Sequence, residues 1–201
     1  MSAEGRKAAD LRMKPFDKLI RDWRISKAAP YVKTGSRVLD IGSADGALFQ
    51  RYEPVMGEGL GIDSGLEQPI EGRNWRLIKG WFPEDLPDSE PFDVITMLAV
   101  LEHIPPTEQA TMAREVALRL KPGGHLVITV PSPMVDPIVD ALIKLRVMRA
   151  VGFEQHWGFD PTTTPEVFAP GGLAVAKARR FQLGLNNLYV LRKDQASPTA
   201  A

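Results

Sequence analysis

Two rhythms of apolar residues alternate along the chain. From Phe16 to Ala29 the apolar positions Phe16, Leu19, Ile20, Trp23 and Ala28 recur at helical spacing, and Pro30 ends the segment. A short apolar run follows, Arg37 to Ile41, read as a buried strand, and then a brief helix from about Ala47 to Tyr52. Gly59 to Asp63 is a second short strand, and Trp75 to Lys79 alternates as a third. Phe92 to Leu98 is a run of apolar residues, as a strand covered on both faces must be. Thr107 to Leu120 puts Ala110, Ala113, Val116, Ala117 and Leu120 on one side of a helix with charges opposite. Lys121-Pro122-Gly123-Gly124 stops that helix and turns the chain into another buried strand, His125 to Val130.

The last third is less regular. Pro137 to Ala150 reads as an amphipathic helix, with Ile138, Leu142, Leu145 and Met148 on one stripe and Lys144, Arg146 and Arg149 around it. Such a helix covers a site with its apolar face, or rests on a lipid surface. Phe159 to Pro170 carries the proline and threonine chemistry of a loop. Arg179 to Leu183 and Asn187 to Arg192 read as a closing hairpin with its turn at Gly184 to Asn186. Strands alternating with helices imply an α/β fold with a parallel sheet, with ligands at the C-terminal ends of the strands. Residues 1–14 and 195–201 read as tails of a single domain over 15–194, within which 134–170 forms a lid or substrate-side insertion.

Composition narrows the function classes. The 201 residues, 44% of them hydrophobic, suit one domain with a full core. The 25 Lys and Arg balance 25 Asp and Glu, so no global basic field advertises nucleic acid. The chain has no cysteine, which excludes disulfides, thiolate metal sites and a cysteine nucleophile and fits a reducing cytoplasm. No apolar run approaches the ~20 residues of a membrane span, and Met1 to Lys14 lacks the apolar segment of a signal peptide. A soluble, cytoplasmic protein is the expectation, with a homodimer left open.

The chemistry concentrates in Arg37 to Gly46, R-V-L-D-I-G-S-A-D-G. A strand runs into a turn with glycines at Gly42 and Gly46, where the backbone bends sharply and approaches a ligand closely. Asp40 at the strand tip puts a negative charge beside the ligand crevice, which suits an amino group or a sulfonium. A dinucleotide pyrophosphate needs G-x-G-x-x-G, and Ala44 stands where its second glycine belongs. The pattern favours S-adenosylmethionine over NAD.

Four segments then fall in register. V-L-D-I-G-S-A-D-G (Val38 to Gly46), G-I-D (Gly61 to Asp63), F-D-V-I-T-M-L-A-V-L-E-H-I (Phe92 to Ile104) and L-K-P-G-G-H-L-V-I-T-V-P (Leu120 to Pro131) occur in order. The chain resembles the class I S-adenosylmethionine-dependent methyltransferases, in the small-molecule, type 11-like subgroup typified by quinone-biosynthesis and natural-product enzymes. The resemblance implies a Rossmann-like three-layer sandwich with a mostly parallel seven-stranded sheet and a C-terminal antiparallel hairpin. It implies that Asp40, Gly42, Ser43, Ala44 and Gly46 surround the methionine part of the cofactor. Asp63, with Ser64 beside it, would take the ribose hydroxyls, Trp81 and Phe82 would flank the adenine, and Leu98 with Ala99 would line the cofactor. Relatives carry an aspartate after the glycine matching Gly80; here Trp81 stands there, so Glu84 or Asp85 substitutes, or stacking holds the adenine. The span from Asp63 to Trp75 is too short for the usual helix.

His103, just past the fourth strand, is the candidate general base, with a capping or packing role as its alternative. Glu102 reads as solvated or paired rather than catalytic. His156 and Trp157 are candidates for a substrate wall or lid. The expected activity is methyl transfer to a small-molecule acceptor: a metabolite, a quinone or lipid precursor, a sugar or a natural-product intermediate, with no metal required. The D-P-P-Y tetrad of nucleic-acid amino methyltransferases is absent after the fourth strand. Two rivals are a methyltransferase-like partner subunit that binds the cofactor without chemistry, and a nicotinamide-dependent oxidoreductase on a similar sheet.

Overall fold

The computed structural model describes residues 15–132 and 159–195. Its centre is a single sheet of eight strands. In chain order the elements are α1 (Pro15–Ile25), β1 (Arg37–Ile41), α2 (Ala47–Tyr52), β2 (Glu58–Asp63), β3 (Ile70–Glu71) and β4 (Trp75–Lys79). There follow β5 (Phe92–Leu98), α3 (Pro106–Arg119), β6 (Leu120–Pro131), α4 (Thr164–Phe168), β7 (Leu173–Phe181) and β8 (Asn186–Lys193). Spatial order is β3-β4-β2-β1-β5-β6-β8-β7. The five strands from β4 to β6 run parallel, while β3, β8 and β7 each pair antiparallel with their neighbours.

Alternation along the strands sends side chains to two cores, one on each face. Leu39, Ile41, Ile95, Met97, Leu126 and Ile128 meet α3 and Phe168 of α4. Val38, Val94, Val127 and Val190 meet Ile25, Phe49 and Tyr52 from the α1 and α2 side. These are the two outer layers of a three-layer sandwich. The Tyr52 hydroxyl donates to the Ile25 carbonyl at 2.9 Å and fixes the end of α1 against α2.

Several local expectations shift. The seven expected strands all form, and the eighth, β3, is a two-residue strand within the segment where no helix was expected. The hairpin is longer on its first arm: β7 begins at Leu173, and the chain reverses through a tight turn at Gln182–Gly184. Gln182, Leu183 and Gly184 all take left-handed φ there, a backbone state that a sequence turn rule assigns readily only to the glycine. Residues 161–171 are not loop but a chain of short helical turns around α4, with Pro161 and Pro165 at first-turn positions where a missing N–H costs nothing. The helix-stop at Lys121–Gly124 opens β6 itself, as an irregularity in its pairing with β5. The Pro137–Ala150 helix, His156, Trp157, residues 1–14 and 196–201 lie outside the described residues.

Candidate active site

The chain leaves β1 for β2 and β4 on one side and then crosses to β5 and β6 on the other. The tips of β1 and β5 therefore bound the switch-point crevice in which open α/β sheets bind ligands. On the β1 side, Gly42, Ala44 and Gly46 all have left-handed φ, at 75, 46 and 75°. A side chain at Gly42 would place its Cβ 2.4 Å from Val100 Cγ2, so only glycine lets the two tips approach this closely. On the β5 side Ala99 is also left-handed (φ 60°), held by its N–H bond to the Thr129 carbonyl at 2.8 Å. Non-glycine residues pay about 1–2 kcal/mol for that conformation. Two of the four such residues described, Ala44 and Ala99, stand on opposite sides of the crevice. Leu98 and Ala99 are half-buried.

Asp63 ends β2 and is half-buried, as is Ser64 after it. Its Oδ2 accepts the Ala44 N–H at 2.8 Å, and its Oδ1 accepts the Gly65 N–H at 2.7 Å. The carboxylate thus ties the glycine turn to the next strand. The Gly42 N–H on the Ile62 carbonyl at 2.9 Å and the Gly80 N–H on the Asp63 carbonyl at 3.2 Å extend the tie across three strands. A carboxylate carries about four lone-pair sites, so each oxygen keeps one for a ligand.

Asp40 is placed differently from the expectation of a charge at a strand tip. It lies inside β1, flanked in register by Gly61 and Thr96, and is 4% exposed. Thr96 Oγ1 donates to its Oδ1. Burial pushes its pKa to about 7, against the Thr96 bond and with a small further push from Asp63. The acid left part-exposed at the end of the neighbouring strand is Asp63. Ser43 is also turned inward: its hydroxyl is buried with no hydrogen bond, and a Cβ on Gly61 would lie 2.7 Å from it. That slot admits only small residues at both positions.

Trp81 and Phe82 part company. Trp81 is 69% exposed, whereas Phe82 packs against the α3-side core. Asp85 accepts the Trp81 N–H at 2.8 Å and lies against Gly80, so this acid shapes the turn after β4; Glu84 is exposed.

His103 is half-buried in the single helical turn Leu101–His103 that leaves the β5 tip. Glu102 beside it is 3% exposed, and burial raises its pKa to about 7, with the charge of Arg24 working the other way. The Arg24 guanidinium is itself depressed by burial and supported by Glu102. Glu102 is accordingly buried rather than solvated, with the charge of Arg24 close enough to favour its ionised form. Arg24 was not singled out in the sequence, nor was Arg21, whose Nη1 bonds Asp45 in the glycine turn at 2.9 Å. Arg21 and Arg24 are three apart on α1, hence on one face. That spacing was the available signal: one helix reaches both sides of the crevice.

A family model described as a methyltransferase domain matches residues 15–156. The ubiquinone biosynthesis O-methyltransferase of Aeromonas salmonicida is 29% identical over 119 residues, covering 54% of this chain and 48% of that protein. The protein of the same name from Marinobacter nauticus is 29% identical over 176 residues, covering 80% of this chain and 73% of that one. The chain spans about half the length of the first curated relatives it matches. Among solved structures, the N-methyltransferase NodS of Bradyrhizobium japonicum in complex with S-adenosylhomocysteine aligns at a TM-score of 0.61 and 18% identity, over 92% of this chain and 90% of that one. That likeness is one of fold. With a family model spanning most of the sequence and a glycine turn clasped by the acid of the next strand, the chain belongs to the class I S-adenosylmethionine-dependent methyltransferases.

Proposed function

We propose that this chain transfers a methyl group from S-adenosylmethionine to an oxygen of a small-molecule acceptor. The observation that carries the reading is the Asp63 carboxylate, fixed by the Ala44 and Gly65 amides before any ligand arrives. Its two remaining acceptor sites suit the paired hydroxyls of a ribose, and its position is set without loss of side-chain freedom on binding. Gly42, Ala44 and Gly46 give a bare backbone wall for the amino-acid end, and Leu98 with Ala99 an apolar wall across the crevice. The buried Asp40 gains an ionised form when a cation lies nearby, which favours a sulfonium over a neutral thioether.

The bound cofactor supplies an electrophilic methyl. The chain's own residues then have modest tasks: hold the acceptor in line with that methyl, keep water out and receive a proton. His103 would take the proton that the acceptor hydroxyl loses as its oxygen is methylated. His156 and Trp157 belong to the acceptor side in this reading. An oxygen acceptor is supported by the curated relatives' names; the N-methyltransferase named above is similar at 18% identity and speaks for the fold.

Calorimetry with S-adenosylmethionine and NAD, followed by S-adenosylhomocysteine release in the presence of catechol-type acceptors, tests the proposal. Heat from S-adenosylmethionine and acceptor-dependent release are the expected results. Heat from NAD alone would overturn the cofactor reading. Tight cofactor binding with no release over a broad acceptor panel would leave a partner subunit that does no chemistry.

A further inference from the structure

A second cleft opens at the other end of the sheet, where the parallel strands begin. The segment before β1, the start of β5 and the turn that opens β6 line an open cleft of about 480 Å³, within the range of small-molecule pockets. Tyr31 forms one wall, its ring centroid 5.0 Å from that of His125. Asp93 contributes an acid whose two oxygens each already accept a bond. Oδ1 accepts from Lys121 Nζ at 2.8 Å and Oδ2 from the Arg37 amide at 2.8 Å.

The remaining charges are positive. Lys33 lines the cleft and is exposed. Arg192 stands directly opposite His125 across the β6–β8 ladder, so their side chains share a face of the sheet. Its guanidinium reaches to within 3.7 Å of where a side chain on Gly123 would begin, and Gly123 lines the cleft. Neither Lys33 nor Arg192 forms an ion pair with a described residue. Burial first, and then the charges of Arg192 and Lys33, depress the pKa of His125. Two cations therefore converge on one imidazole, and among the described residues lining the cleft the one acid, Asp93, is already bonded to Lys121.

We propose that this cleft binds a phosphate ester of a small aromatic or heterocyclic alcohol, its phosphate between Lys33, Arg192 and His125 and its ring against Tyr31. A dianion there relieves the repulsion between the cations and forms charge-assisted bonds to both. The volume exceeds the needs of a bare phosphate, and the tilted Tyr31–His125 pair presents aromatic surface for the rest of the molecule. The cleft is at the strand starts and the crevice at the strand tips, so this site is separate from the proposed methyl-transfer site and does not rest on it.

Titration calorimetry on the full chain with phenyl phosphate, phenol and inorganic phosphate tests the site. Phenyl phosphate should bind, phenol should not, and the Lys33→Ala/Arg192→Ala double variant should bind phenyl phosphate about tenfold more weakly or less. S-adenosylhomocysteine affinity in that variant should equal the wild type's, which also reports an intact fold. No heat from phenyl phosphate at millimolar concentration, or full affinity in the double variant, overturns the proposal. Equal affinity for inorganic phosphate and phenyl phosphate overturns the ring contact and the ester class with it.

Discussion

Asp40→Asn tests whether the buried acid of β1 titrates near neutrality. Burial raises this carboxyl from 3.8 to about 7. Between those values the folded chain holds a proton that the unfolded chain has released, so stability falls as pH rises through the window and levels off above about pH 7. From pH 5 to pH 8 the loss due to this one group is about 2–3 kcal/mol, taking 1.36 kcal/mol per pKa unit. Asparagine is nearly isosteric and keeps a hydrogen-bonding oxygen for Thr96, whose hydroxyl is also within 3.3 Å of the Leu39 carbonyl. It carries no ionisation penalty. Urea unfolding at pH 5 and pH 8 should therefore show a smaller decline for the variant by that amount. Every other titrating group is common to both proteins and cancels in the comparison. Parallel pH profiles for the two proteins would mean that Asp40 ionises in both states alike, and the account of its environment would fail.

The remaining predictions concern the crevice and its cover. Asp63→Ala should weaken S-adenosylmethionine binding by about 1.5–3 kcal/mol, the worth of hydrogen bonds to a charged group; calorimetry showing unchanged affinity would misplace the ribose. Gly42→Ala should lower cofactor affinity by more than about tenfold through its clash with Val100 and its left-handed φ, with Val100→Ala restoring part of the loss in the same binding assay. Arg24→Met should destabilise by about 2–3 kcal/mol at pH 8, because it leaves Glu102 buried without its opposite charge. Adding Glu102→Gln should return most of that in urea unfolding, and an additive double variant would mean the two groups do not interact. His103→Ala should slow turnover and flatten the acid limb of the pH profile while S-adenosylhomocysteine affinity stays constant; an unaltered profile would remove it as the base.

The parallel core was legible because its strands are short, largely apolar runs, three of them ending in Asp63 or running into Gly42 or Gly80, and each long helix shows its own period. Local sterics settle such elements. The two-residue β3 was not legible, since pairing of Ile70 and Glu71 with Leu77 and Arg76 is decided across the sheet and not along the chain. The β7 start at Leu173 escaped notice for a related reason: residues 174–180 are exposed on both faces, so no alternation marks a strand. Within the site, the glycine turn and Asp63 were readable from spacing. The inward turn of Ser43 and the burial of Asp40 were not, because they depend on Gly61 and Thr96 from neighbouring strands.

Charge shows the same limit of a one-dimensional reading. The chain sums to zero, which from sequence alone removed any argument from the net charge. In three dimensions the unbalanced groups separate along the strands. Asp63 ends β2 and Glu102 follows β5, with Asp40 buried within β1 beside them and Arg24 near Glu102. Lys33 and Arg192 gather at the strand starts, where Asp93 is already committed to Lys121 and Arg37. A sheet arranged this way offers an acidic crevice to a cationic cofactor and a basic cleft to an anion at opposite ends. Because screening acts over about 10 Å at ordinary salt, each end keeps its own sign despite the neutral total.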